Sequence, residues 1–147
     1  QCIGLRFFTV YGPWGRPDMA TFIFTKKILE KRKIDIFNFG KMKRDFTYID
    51  DIINGTRAAI DKNYSCDVFN LGNNKSENLM DMIGILEECL NKKAIVEFKP
   101  MQPGDLRESF ADIEKSIEML EYNPKTNINA GLPQFVSWYR RYEKNNC

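Results

Sequence analysis

A chain of 147 residues that is 43% hydrophobic and 13% aromatic carries enough apolar material for a folded core within one domain. Its 22 basic and 20 acidic residues leave a formal net charge of +2, which favours neither nucleic acid nor a charged membrane surface, so any anion site must be local. Histidine is absent, which removes histidine triads, histidine general bases and the commonest metal ligand together.

The four cysteines, Cys2, Cys66, Cys89 and Cys147, are far apart in sequence and form no C-x-x-C pair. They indicate neither a zinc site nor a compact disulfide framework, and reduced thiols in a cytoplasm are expected. No apolar run approaches the roughly 20 residues that span a bilayer, and the amino terminus lacks the basic start and long apolar stretch of a signal peptide. A soluble protein without a membrane partner is expected. The chain opens on Gln1, followed almost at once by an apolar β-like segment, where a natural start would show methionine. The expectation is a piece of something longer, with the missing part upstream.

Residues 3–10 are rich in β-branched and aromatic types with little polar alternation, which predicts a strand covered on both faces in a parallel sheet. Over 19–33 the apolar residues Met19, Phe22, Ile23, Ile28 and Leu29 follow helical spacing, with Asp18 as N-cap and basic residues at the carboxyl end. Residues 34–39 read as a short strand, 40–44 as a basic turn and 46–49 as another extended piece. Asp50 then caps a helix to about residue 62. A strand over 66–71 and a turn over 72–76 follow; Leu79, Met82, Ile83, Leu86 and Leu90 mark the next helix, before extended residues 94–98.

Residues 100–104 form an irregular loop, Asp112 caps a helix to about residue 120, and Asn123 with Pro124 ends it. A last helix covers about 131–142, where Trp138, Tyr139 and Tyr142 share spacing with Leu132, Phe135 and Val136, as in a packed helix face. There is no internal repeat and no low-complexity linker. Alternating elements of this kind predict an α/β or α+β architecture.

Two constellations of redox chemistry are missing. A dinucleotide fold needs close-approach glycines after its first strand; the nearest match, Gly12 and Gly15, follows the wrong element and lacks the third glycine. None of the six tyrosines has a lysine four residues later to lower its phenol pKa. The adjacent pairs Asp50 with Asp51 and Glu87 with Glu88 point in different directions on a helix, so capping and solvation explain them better than acid and base roles. Arg16, on a loop after a strand, could clamp an anion with its planar fork.

The stretches LRFFTVYGPWGRPDMA (5–20) and KMKRDFTYIDD (41–51) together resemble the carboxyl-terminal half of the NAD-dependent nucleotide-sugar epimerases of the extended short-chain dehydrogenase/reductase family. Within that family the resemblance is closest to the UDP-glucuronate 4-epimerases and covers essentially the whole chain. It implies an α/β fold made of the last strand region of a Rossmann-type sheet plus the small mixed α/β substrate-binding domain. Residues 1–147 would be the substrate-binding portion, without the NAD-binding portion. The implied partner is a UDP-sugar, and the implied cofactor of the parent is NAD, with none expected bound to this piece.

The same resemblance implies roles for individual residues. Arg44 would bind the diphosphate of the UDP-sugar, a solvated basic turn being the competing reading, and Asp45 would support the turn. Phe37 would cover the uracil while the backbone of Asp35 and Phe37 reads its polar edge, with core packing as the alternative for the ring. In PMQPGDL (100–106), Asp105 would accept a hydrogen bond from the ribose, although a turn role suits it too. Gln102 stands where some relatives place a second phosphate-binding arginine, a departure that weakens its assignment, and Arg107 would be a surface residue nearby. Arg16 would lie near the sugar's carboxylate and Thr9 would face the substrate.

A UDP-glucuronate/UDP-galacturonate epimerase is the reading this supports, the piece alone being inactive. A decarboxylase or dehydratase of the same family, or a non-enzymatic UDP-sugar binding module, would share the same surface. The apolar first strand would be exposed in an isolated copy, so a homodimer or strand-exchanged dimer through it is expected.

Overall fold

The computed structural model describes residues 2–145. It contains β1 (Cys2–Phe7), β2 (Thr9–Tyr11), α1 (Ala20–Leu29), β3 (Lys33–Ile36), a single 3₁₀ turn (Phe37–Gly40), β4 (Lys43–Arg44), β5 (Phe46–Tyr48) and α2 (Ile49–Lys62). There follow β6 (Cys66–Leu71), β7 (Glu77–Asn78), α3 (Leu79–Leu90), β8 (Ile95–Phe98), α4 (Glu114–Leu120) and α5 (Ile128–Asn145). Three strand pairs are parallel, β1 with β6, β2 with β5 and β3 with β8, while β4 and β7 pair antiparallel. Parallel pairs joined by helices give the α/β class that the alternation of elements predicts.

The single strand expected over 3–10 is two strands, because the chain changes partner at Phe8. The Phe8 N–H still donates to Leu71 C=O on the β6 side (3.4 Å), but the next residue, Thr9, donates to Asp45 C=O (3.0 Å) and so joins β5. Helix α1 is shorter than 19–33: Lys31 adopts φ 55° and closes it, with Arg32 N–H returning to Lys27 C=O at 2.8 Å. Its N-cap is Met19, not Asp18, whose carboxylate is taken by Arg16 instead. The strand expected over 34–39 stops at Ile36, since Asn38 and Phe39 turn left-handed at φ 50° and 51°. Lys43 and Arg44, expected in a turn, form β4 because β7 offers them backbone partners.

Helix α2 is capped at Tyr48, with Asp50 in its first turn. Asp51 is not a solvated carboxylate: it is buried and accepts the N–H groups of Lys125 (3.1 Å) and Thr126 (2.9 Å). Asp112 does serve the start of α4, accepting the Glu114 N–H at 3.1 Å, and the helix ends at Leu120 where Glu121 turns left-handed, ahead of Asn123 and Pro124. The last helix begins at Ile128 instead of 131.

Two apolar cores result. The larger joins α1, α3 and α5 to β3 and to the β2–β5 pair, through Ile28, Ile34, Ile36, Leu86, Leu132 and Phe135 among others. Trp138 and Tyr139 are buried in it, as the spacing of α5 predicts. The smaller joins α2 and α4 to β6, around Ile52, Phe69, Leu71 and Leu120, with Ile3 and Leu5 of β1 only partly covered. Cys2 and Cys66, 64 positions apart, become register partners across β1 and β6; both thiols are free and exposed, Cys89 is free and partly covered, and Cys147 lies outside the described residues. Among the described residues no group of potential metal ligands occurs, and no helix is long and apolar enough to cross a membrane.

Candidate functional site

Arg44 sits at the end of β4 with its side chain one-fifth exposed. Its Nη2 donates to Asp105 Oδ1 at 2.6 Å and its Nη1 to the Lys43 carbonyl at 2.8 Å. A guanidinium has five N–H donors, so these two bonds fix its plane and leave three for a ligand. The same Asp105 Oδ1 also accepts the Leu106 N–H at 2.8 Å, which helps to hold the carboxylate in place. The structure thus unites two residues 61 positions apart that the sequence suggested separately. It gives Asp105 a second task, the tethering of Arg44.

The neighbouring positions follow from backbone bonds. Thr9 donates its N–H to the carbonyl of Asp45, the residue after Arg44, which sets the start of β2 beside the guanidinium's strand. Gln102 is exposed, and its carbonyl accepts the Asp105 N–H at 3.3 Å, closing the turn that presents the carboxylate. Arg107 is exposed and contributes its carbonyl to Lys43 N–H at 2.9 Å.

Phe37 is not on a strand but opens the 3₁₀ turn after β3, half-buried, while Phe39 is exposed. This turn is stitched to the same 99–107 segment: Lys99 N–H donates to Ile36 C=O at 2.8 Å and Phe39 N–H to Lys99 C=O at 3.1 Å. Because Ile36 faces β8, the alternation along a parallel strand turns the backbone groups of Asp35 to the opposite, unpaired edge. The Asp35 side chain is engaged by Lys99 at 2.7 Å and approached by Lys27 at 3.9 Å, and the Lys99 ammonium holds its carboxyl below the usual range. Segment 99–107 is therefore the common wall linking Phe37, Gln102, Asp105 and Arg44.

Arg16 lies elsewhere, on the loop after β2. Its fork is filled by Asp18, with Nε to Oδ1 at 3.1 Å and Nη2 to Oδ2 at 2.5 Å, and this bond lowers the Asp18 carboxyl's pKa. Among the described residues it is the one charged residue lining a cavity of about 390 Å³ walled by Phe7, Phe8, Val10, Tyr11, Trp14, Met19 and Ile49, among others. Trp14 holds a left-handed φ of 61° there and sets its ring edge against Trp138 at 5.5 Å. The flanking Gly12 and Gly15 mark a turn, but nothing local assigns the left-handed conformation to the tryptophan. Tyr11 is no base at neutral pH: burial, reinforced by Tyr48, Asp51 and Glu77, pushes its phenol well above the ordinary value. Gly12 and Gly15 do not build a pyrophosphate cradle either. A Cβ on Gly12 would fall 2.5 Å from Ile49 Cγ2, and one on Gly15 would fall 3.1 Å from the Gly12 carbonyl, so these glycines serve a tight turn packed on α2.

Two features escaped the sequence reading in substance. Asp45, expected to support a turn, is fully buried and its carboxylate is bonded to nearby Thr47 and to two distant segments, at Asn73 and Ala111. Lys99 is the partner of Asp35, for which no sequence signal existed.

Residues 1–72 match the model of the NAD dependent epimerase/dehydratase family. An uncharacterized protein of Methanocaldococcus jannaschii is 51% identical over 139 residues, covering 95% of this chain and 43% of that protein. UDP-glucuronate 4-epimerase 4 of Arabidopsis thaliana is 45% identical over 156 residues, covering 95% of this chain and 36% of its own length. The crystal structure of UDP-glucuronic acid 4-epimerase from Bacillus cereus, in complex with UDP-glucuronic acid and NAD, matches at a TM-score of 0.87 and 38% identity, covering 94% of this chain and 45% of that chain. The chain spans less than half the length of these three relatives. The parallel strand pairs and helices of the described residues reproduce the Rossmann-like α/β fold of those enzymes; residues 1–72 belong to the NAD dependent epimerase/dehydratase family, and nearly the whole chain resembles the UDP-glucuronate 4-epimerases.

Proposed function

We propose that this chain is the UDP-sugar grip of an NAD-dependent nucleotide-sugar 4-epimerase whose parent interconverts UDP-glucuronate and UDP-galacturonate. The observation that carries the reading is Arg44, oriented by Asp105 at 2.6 Å and still holding donors for two non-bridging phosphate oxygens. Around it, Phe37 covers the uracil, the free backbone edge of Asp35 reads it, Asp105 accepts from the ribose, and Gln102 borders the diphosphate. Thr9 and Arg16 face the sugar, where a uronate carboxylate would compete with Asp18 for the Arg16 fork.

Binding energy from the nucleotide handle is what positions a small sugar for reaction, so Arg44 serves the chemistry without touching it. NAD supplies and recovers the C4 hydride in the parent. The residues here form no cradle for it, and the chain alone is inactive. The setting is cytoplasmic. The unpaired edge of β1 is the surface through which two copies associate.

Titration of the isotopically labelled chain with UDP, followed by NMR, tests the reading. Amide shifts are expected at residues 35–45 and 102–107, and Arg44→Ala should weaken the response about tenfold or more, since charge-assisted bonds to phosphate are lost. Shifts confined to other surfaces would refute it. Incubation with UDP-glucuronate and NAD should give no UDP-galacturonate.

A further inference from the structure

We propose that Asp45 is a positioning residue for this grip: its buried carboxylate fixes the base of the arm whose tip orients the Arg44 guanidinium. The inference rests on the reading of Arg44 given above.

Asp45 is fully buried, and among the described residues no lysine or arginine pairs with it. A carboxylate in such a place must be satisfied by aimed donors. Oδ1 accepts from Thr47 Oγ1 at 2.8 Å and from Asn73 N–H at 2.7 Å; Oδ2 accepts from Ala111 N–H at 2.9 Å. The donors come from β5, from the turn after β6 and from the segment before α4. The residue's own carbonyl accepts the Thr9 N–H at 3.0 Å, so β2 meets the same point.

The segment ending at Ala111 is the one that carries Asp105. It is laced to β4 by Lys43 N–H to Arg107 C=O at 2.9 Å and by Ser109 N–H to Lys43 C=O at 3.3 Å, and the Asp45 carboxylate ties its far end. Close approach is required as well. A Cβ on Gly72 would lie 2.3 Å from the Ala111 Cβ and 3.0 Å from Asp45 Oδ2, so only glycine lets the turn reach this junction. Loosening the Asp45 end would free the arm, and Asp105 could no longer hold Arg44 in one plane.

Asp51 is a matched control. It too is buried and accepts two backbone N–H groups, from Lys125 and Thr126, but these lie on the approach to α5 and not on the Asp105 arm.

The test is the UDP titration repeated on Asp45→Asn and Asp51→Asn, with thermal melting of each. Asparagine keeps the size but puts an NH₂ donor against an N–H, so both variants should melt lower. Only Asp45→Asn should weaken UDP binding, by about tenfold. If Asp45→Asn does not fold, Thr47→Ala, which deletes one of the three donors, should show the same order with a smaller loss. A folded Asp45→Asn or Thr47→Ala protein that binds UDP like the wild type overturns the inference. Equal losses in Asp45→Asn and Asp51→Asn do so too, because the effect would then follow general destabilisation. A wild-type chain whose UDP response is untouched by Arg44→Ala instead overturns the reading of the grip itself.

Discussion

Ile34 and Ile36 of β3 are fully buried, whereas no residue of β1 is, although each strand runs parallel to a single partner and β1, CIGLRF, is the more apolar of the two beside KIDI of β3. The difference lies in what the chain stacks against them. Strand β3 packs into the core that α1, α3 and α5 close around it. Strand β1 shares with β6 a smaller core closed by α2, α4 and the segments flanking α4, and much apolar surface around it stays in solvent: Phe7 is 51% exposed, Val68 44% and Ile60 of α2 71%. Apolar content therefore records what a strand is built to meet, while burial requires that the same chain supply both layers.

The comparison breaks most visibly in stability. Phe135→Ala in the closed core should cost about 3–5 kcal/mol in urea denaturation, by lost transfer energy plus a cavity, whereas Val68→Ala on the open side should stay within about 0.5 kcal/mol. Similar costs at both sites would mean that the second core is as closed as the first.

A smaller effect sharpens the same contrast through pH. Burial within the closed core pushes the Tyr139 phenol up to about 12, with Glu143 and Glu30 adding to it. A raised phenol pKa leaves stability intact below pH 10, where the unfolded phenol is still neutral, and removes it as pH rises from 10 toward 12. That loss should amount to about 3 kcal/mol at most, and Tyr139→Phe should flatten this part of the alkaline unfolding curve. An unchanged slope would place the phenol outside the closed core's influence.

The smallest expected effect concerns association. The unpaired edge and exposed apolar side chains of β1 should make the chain self-associate as concentration rises, and Phe7→Lys should shift that equilibrium about tenfold toward monomer in sedimentation experiments. A wild-type chain that stays monomeric at every concentration would show that the open side needs no cover.

The legible parts were those whose cause is local. The helix of α3 and the strand of β6 have the limits read from periodicity, 79–90 and 66–71, because their apolar spacing is repeated over enough residues to fix the element. The pieces misread are short or strained: β4 has two residues and exists through its pairing with β7, and the left-handed conformations of Trp14, Asn38 and Phe39 fall on residues beside Gly15 and Gly40, where the glycines mark a turn but not which neighbours share its strain. In the candidate site, Arg44 was visible as a residue type within RDF. Its partnership with Asp105 was not, since nothing local links positions 44 and 105.

Motifs and periodicity were enough for the resemblance to this family, the alternation of helices and strands, and the stock of arginines and carboxylates from which an anion grip can be made. The tertiary structure decided which carboxylate holds which cation. Asp105 holds Arg44 and Asp18 holds Arg16, while Asp45 and Asp51, with no cation paired to them among the described residues, hold the backbone N–H groups of distant segments. The reason is that a backbone donor has no side-chain signature. Any residue except proline can offer one, and only the folded path of the chain brings it within reach of a buried carboxylate.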